Sequence, residues 1–453
     1  MNLFGTAGIR GSVRERVTPA LALSVGRAAA AHAEGGEFVV GRDGRETGSA
    51  LTDAVAAGIQ SGGARVVHIG AVPTPGLAFA SRGRRGVMVT ASHNPPTDNG
   101  LKLFHDGEEY DREAERAVES LVDAGDPPVA WDRFGASERA DVLADYRAGV
   151  VDYAADFGAA PNGLPVAVDC GTGMASVATP QVLRALGADV VALNAQVDGH
   201  FPGRESKPTA ESLADLRAFV RDGEAAFGIG HDGDADRIVV VDEDGEIVHE
   251  DTVVAVLAER FVAASDAVDP VVVTTPNASA RIDERVRAAG GRVERVRLGA
   301  LHEGIARARA AGDEGTTVAF AAEPWKHIHP AQGPWIDGVA SAAVLTRLVA
   351  AEGLDGLREP VTERPYRKLS VPCSDDEKER VMDAVGESLP AAFPDGTVET
   401  EYGVRVERPD GSWVLVRPSG TEPYVRVYAE ADDVDVLVER VRSVVEDAVD
   451  AGD

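Results

Sequence analysis

Two short polar runs in this sequence contain residue types that suit the transfer of phosphate groups. Ser92 lies within residues 90–95, directly after an apolar stretch typical of a buried strand. Asp232, Asp234 and Asp236 alternate in a second run that also follows an apolar stretch. A hydroxyl at the carboxyl end of a buried strand is where an open α/β sheet presents reactive groups. Three carboxylates around a glycine suit a hard divalent cation. A phosphorylatable serine and a Mg²⁺-type loop together predict phosphoryl transfer.

Each run also has a simpler interpretation when it is considered alone. A serine at the end of a strand is usually only the N-cap of a helix, and Asp-Gly pairs favour turns. The neighbours of Ser92 argue against the capping role, because His93 and Asn94 add polar groups and two prolines make the exit rigid. The presence of both runs in one chain therefore favours chemistry over local structure.

The segments around these runs alternate between strand and helix patterns. Apolar strand-like runs occur at residues 38–40, 66–69 and 86–89, with helical composition at 50–60. The pattern restarts at residue 166 and again at residue 271, which predicts βαβ units and mainly parallel sheets. After Pro365 the pattern changes, because alternating strands flank a strong hairpin turn at residues 408–411. We predict an antiparallel α+β layer there.

The length of 453 residues is too great for one compact core, so several domains are expected. The predicted boundaries are 1–140 for a first α/β domain with the serine loop, 141–249 for a second with the metal loop, 250–360 for a third, and 361–453 for the α+β domain.

The charge is unusual, with 75 Asp and Glu against 45 Lys and Arg, a net charge of −30 and only five lysines. The acidic residues are dispersed, which favours a solvated surface suited to a high-salt cytoplasm, and so a halophilic archaeon, over a docking surface for a basic partner. An acidic field of this size argues against nucleic-acid binding. No stretch approaches the roughly 18 apolar residues of a membrane span. The start leaves no room for a signal peptide, and the two cysteines imply no disulfide framework, so we expect a cytoplasmic protein.

Six motifs in this order resemble those of the α-D-phosphohexomutase family, which includes phosphomannomutase, phosphoglucomutase and phosphoglucosamine mutase. They are Phe4 to Gly11, Gly41 to Arg45, Pro73-Thr74-Pro75, the serine run, the aspartate run and Arg417 to Pro423. The resemblance covers nearly the whole chain. It implies three similar α/β/α domains with mixed, mainly parallel sheets and a smaller C-terminal α+β domain, arranged around one central cleft.

The resemblance also implies a reaction. Phospho-Ser92 would give its phosphoryl group to a hexose phosphate, and the resulting sugar bisphosphate would turn over and return its other phosphate to Ser92. Asp232, Asp234, Asp236 and a phosphate oxygen on Ser92 would hold one Mg²⁺, and Arg237 would face the phosphoryl group or the substrate. The partner implied is a hexose phosphate, with glucose or mannose as the sugar. The protein would be a monomer or a homodimer.

Proton transfer near Ser92 needs a further group, and Lys102 and His93 are the nearest candidates in sequence. A turn predicted at Asp98-Asn99-Gly100 would bring Lys102 back to Ser92, so we rank Lys102 first. Arg10, on the first glycine-rich loop, is another cation that the family brings to this site.

The loop near the carboxyl terminus has donors for a phosphate that is not being transferred. Ser419, Gly420 and Thr421 offer hydroxyl and backbone N–H groups, while Arg417 and Arg426 supply guanidinium groups.

One loop departs from the family pattern. The family's sugar-binding loop has the sequence Gly-Glu-x-Ser-Gly-His, whereas this chain keeps Glu323 and His327 but has Trp325 and Lys326 in place of Ser-Gly. Lys326 is expected either to contact substrate, replacing a charge missing near residues 298–300, or to be a solvated lysine beside a packing tryptophan. The runner-up within the family is a phosphoglucosamine mutase. The altered loop also leaves open a non-catalytic sugar-phosphate-binding paralogue, and a third alternative is a phosphatase that hydrolyses the phosphoserine.

Overall fold

The structure is a computed structural model that describes residues 3–5, 8–419 and 422–451. The chain divides into two units. The first contains Met1–Val253 and Ala319–Arg358, and the second contains Val254–Val318 and Glu359–Asp453. Within the described residues, no helix is both long and apolar enough to cross a membrane.

The first sheet of the first unit is mixed and has seven strands in the order β1-β5-β4-β2-β3-β7, with β6 on β5. Strands β2, β3, β4 and β7 run parallel to one another, while β1 and β4 are antiparallel to β5. Thr18 caps α1 by accepting from the backbone N–H of Leu21, and Asp111 caps α4. The elements are β1 (Ile9–Ser12), α1 (Pro19–His32), β2 (Glu37–Arg42), α2 (Gly48–Ser61), β3 (Arg65–Ala71), α3 (Thr74–Ala80), β4 (Arg85–Val89), β5 (Asp98–His105), β6 (Glu108–Glu109), α4 (Arg112–Ala124) and β7 (Ser137–Arg139).

The turn predicted at residues 98–100 was wrong by three residues. The chain turns at Pro95 to Asp98, where the Asp98 N–H donates to the Pro95 carbonyl at 3.0 Å, and Asp98 already begins β5. Gly100 lies inside β5, where the position requires glycine because a Cβ would lie 2.5 Å from the carbonyl oxygens of Ile9 and Thr90. Lys102 is nevertheless brought back towards Ser92, since β5 runs antiparallel to β4 and Lys102 pairs there with Met88.

The second sheet of the first unit has four strands in the order β11-β10-β8-β9. Strands β8, β9 and β10 are parallel and β11 is antiparallel to β10. Its aspartate loop connects β10 to β11, as the apolar flanks of that run predict. The elements are α5 (Leu143–Ala154), β8 (Pro165–Asp169), α6 (Thr179–Leu186), β9 (Asp189–Leu193), α7 (Ala214–Asp222), β10 (Phe227–Gly230) and β11 (Val239–Val241).

The next segment contributes to both units, because α8 and β14 each contain a unit boundary. In the second unit β12 and β13 are parallel. In the first unit β14 and β15 form an antiparallel hairpin. The elements are α8 (Glu250–Ala263), β12 (Asp269–Thr274), α9 (Ala280–Ala288), β13 (Arg292–Arg295), α10 (Leu301–Ala311), β14 (Thr316–Glu323), β15 (Lys326–Ile328), α11 (Gly338–Glu352) and α12 (Leu354–Arg358).

The last part of the chain is the predicted antiparallel layer, with strand order β16-β20-β19-β18-β17. Alternate valines of β18 and β19, such as Val404 and Val414, pack in one cluster with Val385 and Val441 of the two helices. The α/β class, the mixed sheets and this C-terminal layer are therefore confirmed. The elements are β16 (Tyr366–Pro372), α13 (Lys378–Ala392), β17 (Thr397–Glu399), β18 (Val404–Glu407), β19 (Trp413–Pro418), β20 (Tyr424–Glu430) and α14 (Val434–Asp450).

Candidate active site

The serine run and the aspartate run meet in the first unit. Ser92 follows β4 on a tight turn, is fully buried and has a positive φ of 50°. Its Oγ donates to Asp232 Oδ2 at 2.6 Å and lies 3.2 Å from His93 Nδ1. The hydroxyl and the first carboxylate of the metal loop are therefore in direct contact across 140 residues of sequence.

The two loops approach so closely that the metal loop requires a glycine. A Cβ on Gly233 would lie 2.7 Å from the carbonyl oxygen of Ser92, closer than real side chains come. The next residue but one, Ala235, has a φ of 60°. Positive φ values at Ser92 and Ala235 are uncommon for residues other than glycine, and such strain concentrates at functional sites.

Arg45 holds the serine loop in place, a role that the sequence analysis did not assign to it. Its guanidinium donates to four backbone carbonyls of that loop, those of Ser92, Asn94, Pro95 and Asp98, at 2.6 to 2.9 Å. Its Nε pairs with Asp43 at 3.1 Å, and both side chains are buried. Arg45 therefore fixes the position of Ser92 through its backbone.

Replacing Arg45 with methionine should cost both stability and activity. Removing one partner of a buried ion pair costs about 3–5 kcal/mol, because the other charge stays buried and unpaired. We expect Arg45→Met to lower the free energy of unfolding by that amount in denaturant titrations and to lower kcat at least tenfold. Arg65→Met is the matched control, since Arg65 pairs with Glu138 but is 49% exposed, and it should cost under about 1 kcal/mol. Equal effects of the two variants would contradict the role of Arg45.

The three carboxylates of the aspartate loop are buried and crowded. Asp234 Oδ2 accepts from Thr74 Oγ1 at 2.7 Å, but Asp234 Oδ1 and Asp236 Oδ1 are buried with no hydrogen-bond partner among the described residues. Burial and the charges of Asp236 and Asp234 raise the pKa of Asp232 well above its usual value. Ligand oxygens of all three carboxylates lie within 4.8 Å of one another. Unpartnered oxygens in such a cluster fit a hard divalent cation.

Two arginines add positive charge to this cluster. Arg237 Nε lies 3.7 Å from Asp232 Oδ2 and 3.8 Å from Asp236 Oδ1. Arg10 pairs with Gly100 across β1 and β5, and its Nε is buried without a hydrogen-bond partner in the described part of the chain. Both charges lower the pKa of His93, so both belong to the surroundings of Ser92.

Lys102 lies between two carboxylates. Its Nζ is 3.2 Å from Asp236 Oδ2 and 3.1 Å from Glu109 Oε1, and its side chain is only 1% exposed. Burial acts to lower the pKa of Lys102, but Glu109 and Asp236 outweigh it and raise the pKa above the usual value. The amine is therefore charged at neutral pH, and it can donate a proton but not accept one.

The pKa of His93 is shifted in the opposite direction to that of Lys102. Burial, together with the charges of Arg237 and Arg10, lowers its pKa to about 3. Its imidazole is neutral at physiological pH and cannot act as a general acid there. Of the two acid/base candidates, only Lys102 thus presents a proton.

The altered loop is a tight hairpin that contacts the metal loop. Glu323 pairs with Lys326 around Pro324 and Trp325, and Trp325 has a φ of 67°. The Trp325 carbonyl accepts from the Ile238 N–H at 3.1 Å, and its side chain packs against the core of the second sheet. The backbone of Lys326 forms an isolated antiparallel β-bridge with that of Arg237. The charge of Lys326 helps to lower the pKa of Asp236. The structure thus gives Trp325 a packing role and places the Lys326 charge near the aspartates.

His327 is in the next position along β15 and points away from solvent. It is 1% exposed, its Nδ1 lies 2.9 Å from Ser341 Oγ, and burial lowers its pKa to about 3. Ser341 also contacts His329 Nε2 at 2.8 Å. His327 therefore belongs to a buried network, and its Nε2 has no hydrogen-bond partner among the described residues; its binding of substrate stays a prediction.

The predicted phosphate loop lies in the second unit. Arg417 and Arg426 are direct cross-strand partners on β19 and β20. The Nε atoms of both are buried without a partner in the described residues. Like charges placed opposite each other repel. Glu422 offsets the charge of Arg426 through a contact of 2.7 Å, and a bound oxyanion would compensate the pair further. Ser419 is buried at the end of β19, whereas Gly420 and Thr421 lie outside the described residues.

Comparison with known proteins identifies the family. Residues 1–128, 145–245 and 371–448 match the family models described as Phosphoglucomutase/phosphomannomutase, alpha/beta/alpha domain I, alpha/beta/alpha domain II and C-terminal domain, respectively. The chain therefore belongs to the phosphoglucomutase/phosphomannomutase family, the α-D-phosphohexomutases.

Individual relatives cover almost the full length. A phosphopentomutase of Thermococcus kodakarensis is 42% identical over 95% of this chain and 94% of its own. A probable phosphoglucosamine mutase of Methanopyrus kandleri is 41% identical over 99% and 97%. Among solved structures, a phosphoglucomutase/phosphomannomutase family protein of Burkholderia thailandensis matches with a TM-score of 0.85 and 28% identity, covering 99% of this chain and 97% of that one.

Proposed function

We propose that this protein is a phosphohexomutase that moves a phosphoryl group between the 1- and 6-positions of a hexose phosphate, with Ser92 as the phosphate carrier. The observation that carries the proposal is the contact between Ser92 Oγ and Asp232 beside two further buried carboxylates. A protein that only binds sugar phosphates, the non-catalytic alternative, has no need to bury three aspartates at a serine hydroxyl.

The reaction consists of two phosphoryl transfers. In the first, the bond between phosphorus and Ser92 Oγ breaks and a bond to a sugar hydroxyl oxygen forms. In net terms the proton of the sugar hydroxyl is transferred to Ser92 Oγ, so atoms and charge balance. In the second, the other phosphate of the sugar bisphosphate returns to Ser92 and the proton movements reverse. The protonated amine of Lys102 is suited to donate a proton, and Arg10 and Arg237 are suited to offset the charge on the phosphoryl oxygens.

Asp232, Asp234, Asp236 and a phosphate oxygen on Ser92 would hold one Mg²⁺ in this proposal. The unpartnered oxygens of Asp234 and Asp236 support that assignment. The ion, when bound, supplies a Lewis acid beside the phosphate. Arg417, Ser419, Gly420, Thr421 and Arg426 are proposed to bind the phosphate that is not being transferred.

The identity of the sugar is best tested by parallel coupled assays. We propose glucose or mannose, while the relatives favour including glucosamine phosphate and a pentose phosphate in the same series. Glu323 is proposed to bind adjacent sugar hydroxyls, and a site that binds a hydroxyl discriminates strongly against a substrate that lacks it. The substrate with the highest kcat/KM identifies the sugar. No turnover of any of them, together with measurable binding, would support the non-catalytic paralogue instead.

Lys326 is proposed to contact the phosphate or a hydroxyl of the substrate. Its charge acts on Asp236 and on His93 in the structure, which supports this role. We expect Lys326→Met to lower kcat/KM at least tenfold while Ser92 stays phosphorylated. Lys326→Arg keeps the charge and should stay within about threefold of the wild type. If methionine has no more effect than arginine, Lys326 is not a ligand.

Several expectations from the sequence remain predictions. These are the boundaries of the four domains, the single central cleft, the monomeric or homodimeric state, the sugar bisphosphate intermediate, the halophilic origin and the cytoplasmic location.

A further inference from the structure

Glu109 is the second carboxylate on the buried amine of Lys102, and it contacts that amine from outside the aspartate loop. It is on β6, which pairs with β5 through a two-residue turn at Asp106 and Gly107, both with positive φ. Glu109 pairs with Phe104 in this hairpin, and Lys102 is two residues before Phe104. Side chains at those positions share one face of the sheet and lie within reach of each other.

The two partners of Lys102 differ in their surroundings. Asp236 is 1% exposed and belongs to the proposed metal loop, whereas the Glu109 side chain is 26% exposed. Glu109 lines a cavity of about 200 Å³ together with His32, Arg85, His105 and Tyr110. The amine thus has one carboxylate at the aspartate cluster and another at a separate, solvated cavity.

This arrangement determines how strongly Lys102 pairs with Asp236. An ammonium group that is almost fully buried must be paired, and with Asp236 alone it would form a closed ion pair with that carboxylate. With Glu109 also in contact, the two carboxylates share the amine at nearly equal distances of 3.1 and 3.2 Å. The other oxygen of Asp236, Oδ1, has no hydrogen-bond partner among the described residues and lies 3.8 Å from Arg237 Nε.

We propose that Glu109 is a positioning residue for phosphoryl transfer, which holds the Lys102 amine away from full pairing with Asp236 and directs its charge to the reacting phosphate. The proposal rests on the proposed function, because it acts through Lys102 in that reaction. It predicts an effect on the rate of the transfer step and little effect on substrate binding.

The test compares isosteric variants in the full-length protein. Glu109→Gln should lower kcat about tenfold and leave KM within threefold, because it removes the charge and keeps the shape. Glu108→Gln is the matched control, since Glu108 is the neighbouring residue of the same hairpin and is exposed. It should change kcat and KM by less than twofold. Thermal unfolding of both variants checks that the fold is retained.

A double variant separates positioning from a structural role. In a Lys102→Met background, Glu109→Gln should change kcat by less than twofold, because the residue through which it acts is gone. Effects that multiply in the double variant, or equal effects of the Glu109 and Glu108 variants, overturn the proposal. A wild-type protein without mutase activity on any substrate overturns the proposed function and this inference with it. An active wild type with an unaffected Glu109→Gln variant overturns only the inference.

Discussion

Ser92→Ala is expected to reduce mutase activity at least about 1,000-fold, because the variant lacks the hydroxyl that is proposed to carry the phosphate. Intact-mass measurement of the purified wild type should show a phosphate-sized adduct on the peptide that contains residues 90–95, and the variant should lack it. The fold should survive, since the change removes only the contacts of the Ser92 hydroxyl with Asp232 and with His93 Nδ1, at a cost of about 1 kcal/mol each.

Ser81→Ala is the matched control for this prediction. Ser81 is equally buried in the same unit, and its hydroxyl donates to the Ala78 carbonyl at 2.8 Å and accepts from the Gly107 N–H. Its removal should lower stability by a similar amount and leave activity within twofold. Full activity of the Ser92 variant would refute the phosphoserine mechanism, whereas inactivity of both variants would point to a structural effect.

The elements around the site could be predicted from local patterns. Helix α6 and the β18–β19 hairpin lie where apolar periodicity and turn residues placed them. The position of the aspartate loop between two short apolar strands was also correct, because the strands on both sides are apolar runs. Such features depend on residues that are neighbours in sequence, and a local sequence pattern therefore predicts them.

The residues that support the site could not be found in the same way. Arg45 acts through backbone carbonyls about 50 residues away, and a carbonyl is the same for every residue type. Glu109 is one of 75 acidic residues, so its type carries no signal until the β5–β6 hairpin places it beside Lys102. The turn before β5 was misplaced because Asn99-Gly100 resembles a turn locally, while the close packing of three strands is what requires the glycine.

The strongest test of the metal assignment uses Asp234, whose side chain has one oxygen bound to Thr74 and one without a partner. Asp234→Asn keeps the shape but removes a ligand charge. We expect kcat/KM to fall at least about 100-fold, or about 2.7 kcal/mol of transition-state stabilisation. Chelation should abolish wild-type turnover and Mg²⁺ should restore it. Zn²⁺ should be a poor substitute, because the ligands are all oxygen atoms.

The same substitution makes a second, independent prediction about stability. Burial, together with repulsion from Asp236 and Asp234, raises the pKa of Asp232. Removing one of these charges should therefore leave the melting temperature of the metal-free protein unchanged or higher. Mg²⁺ should raise the melting temperature of the wild type, because a ligand that binds only the folded state stabilises it, but not that of the variant. Asp242→Asn is the control, since Asp242 follows β11 and pairs with Arg358 outside the cluster. It should keep the full response to Mg²⁺, and an Asp234 variant that keeps it as well would refute the assignment of this loop as the metal site.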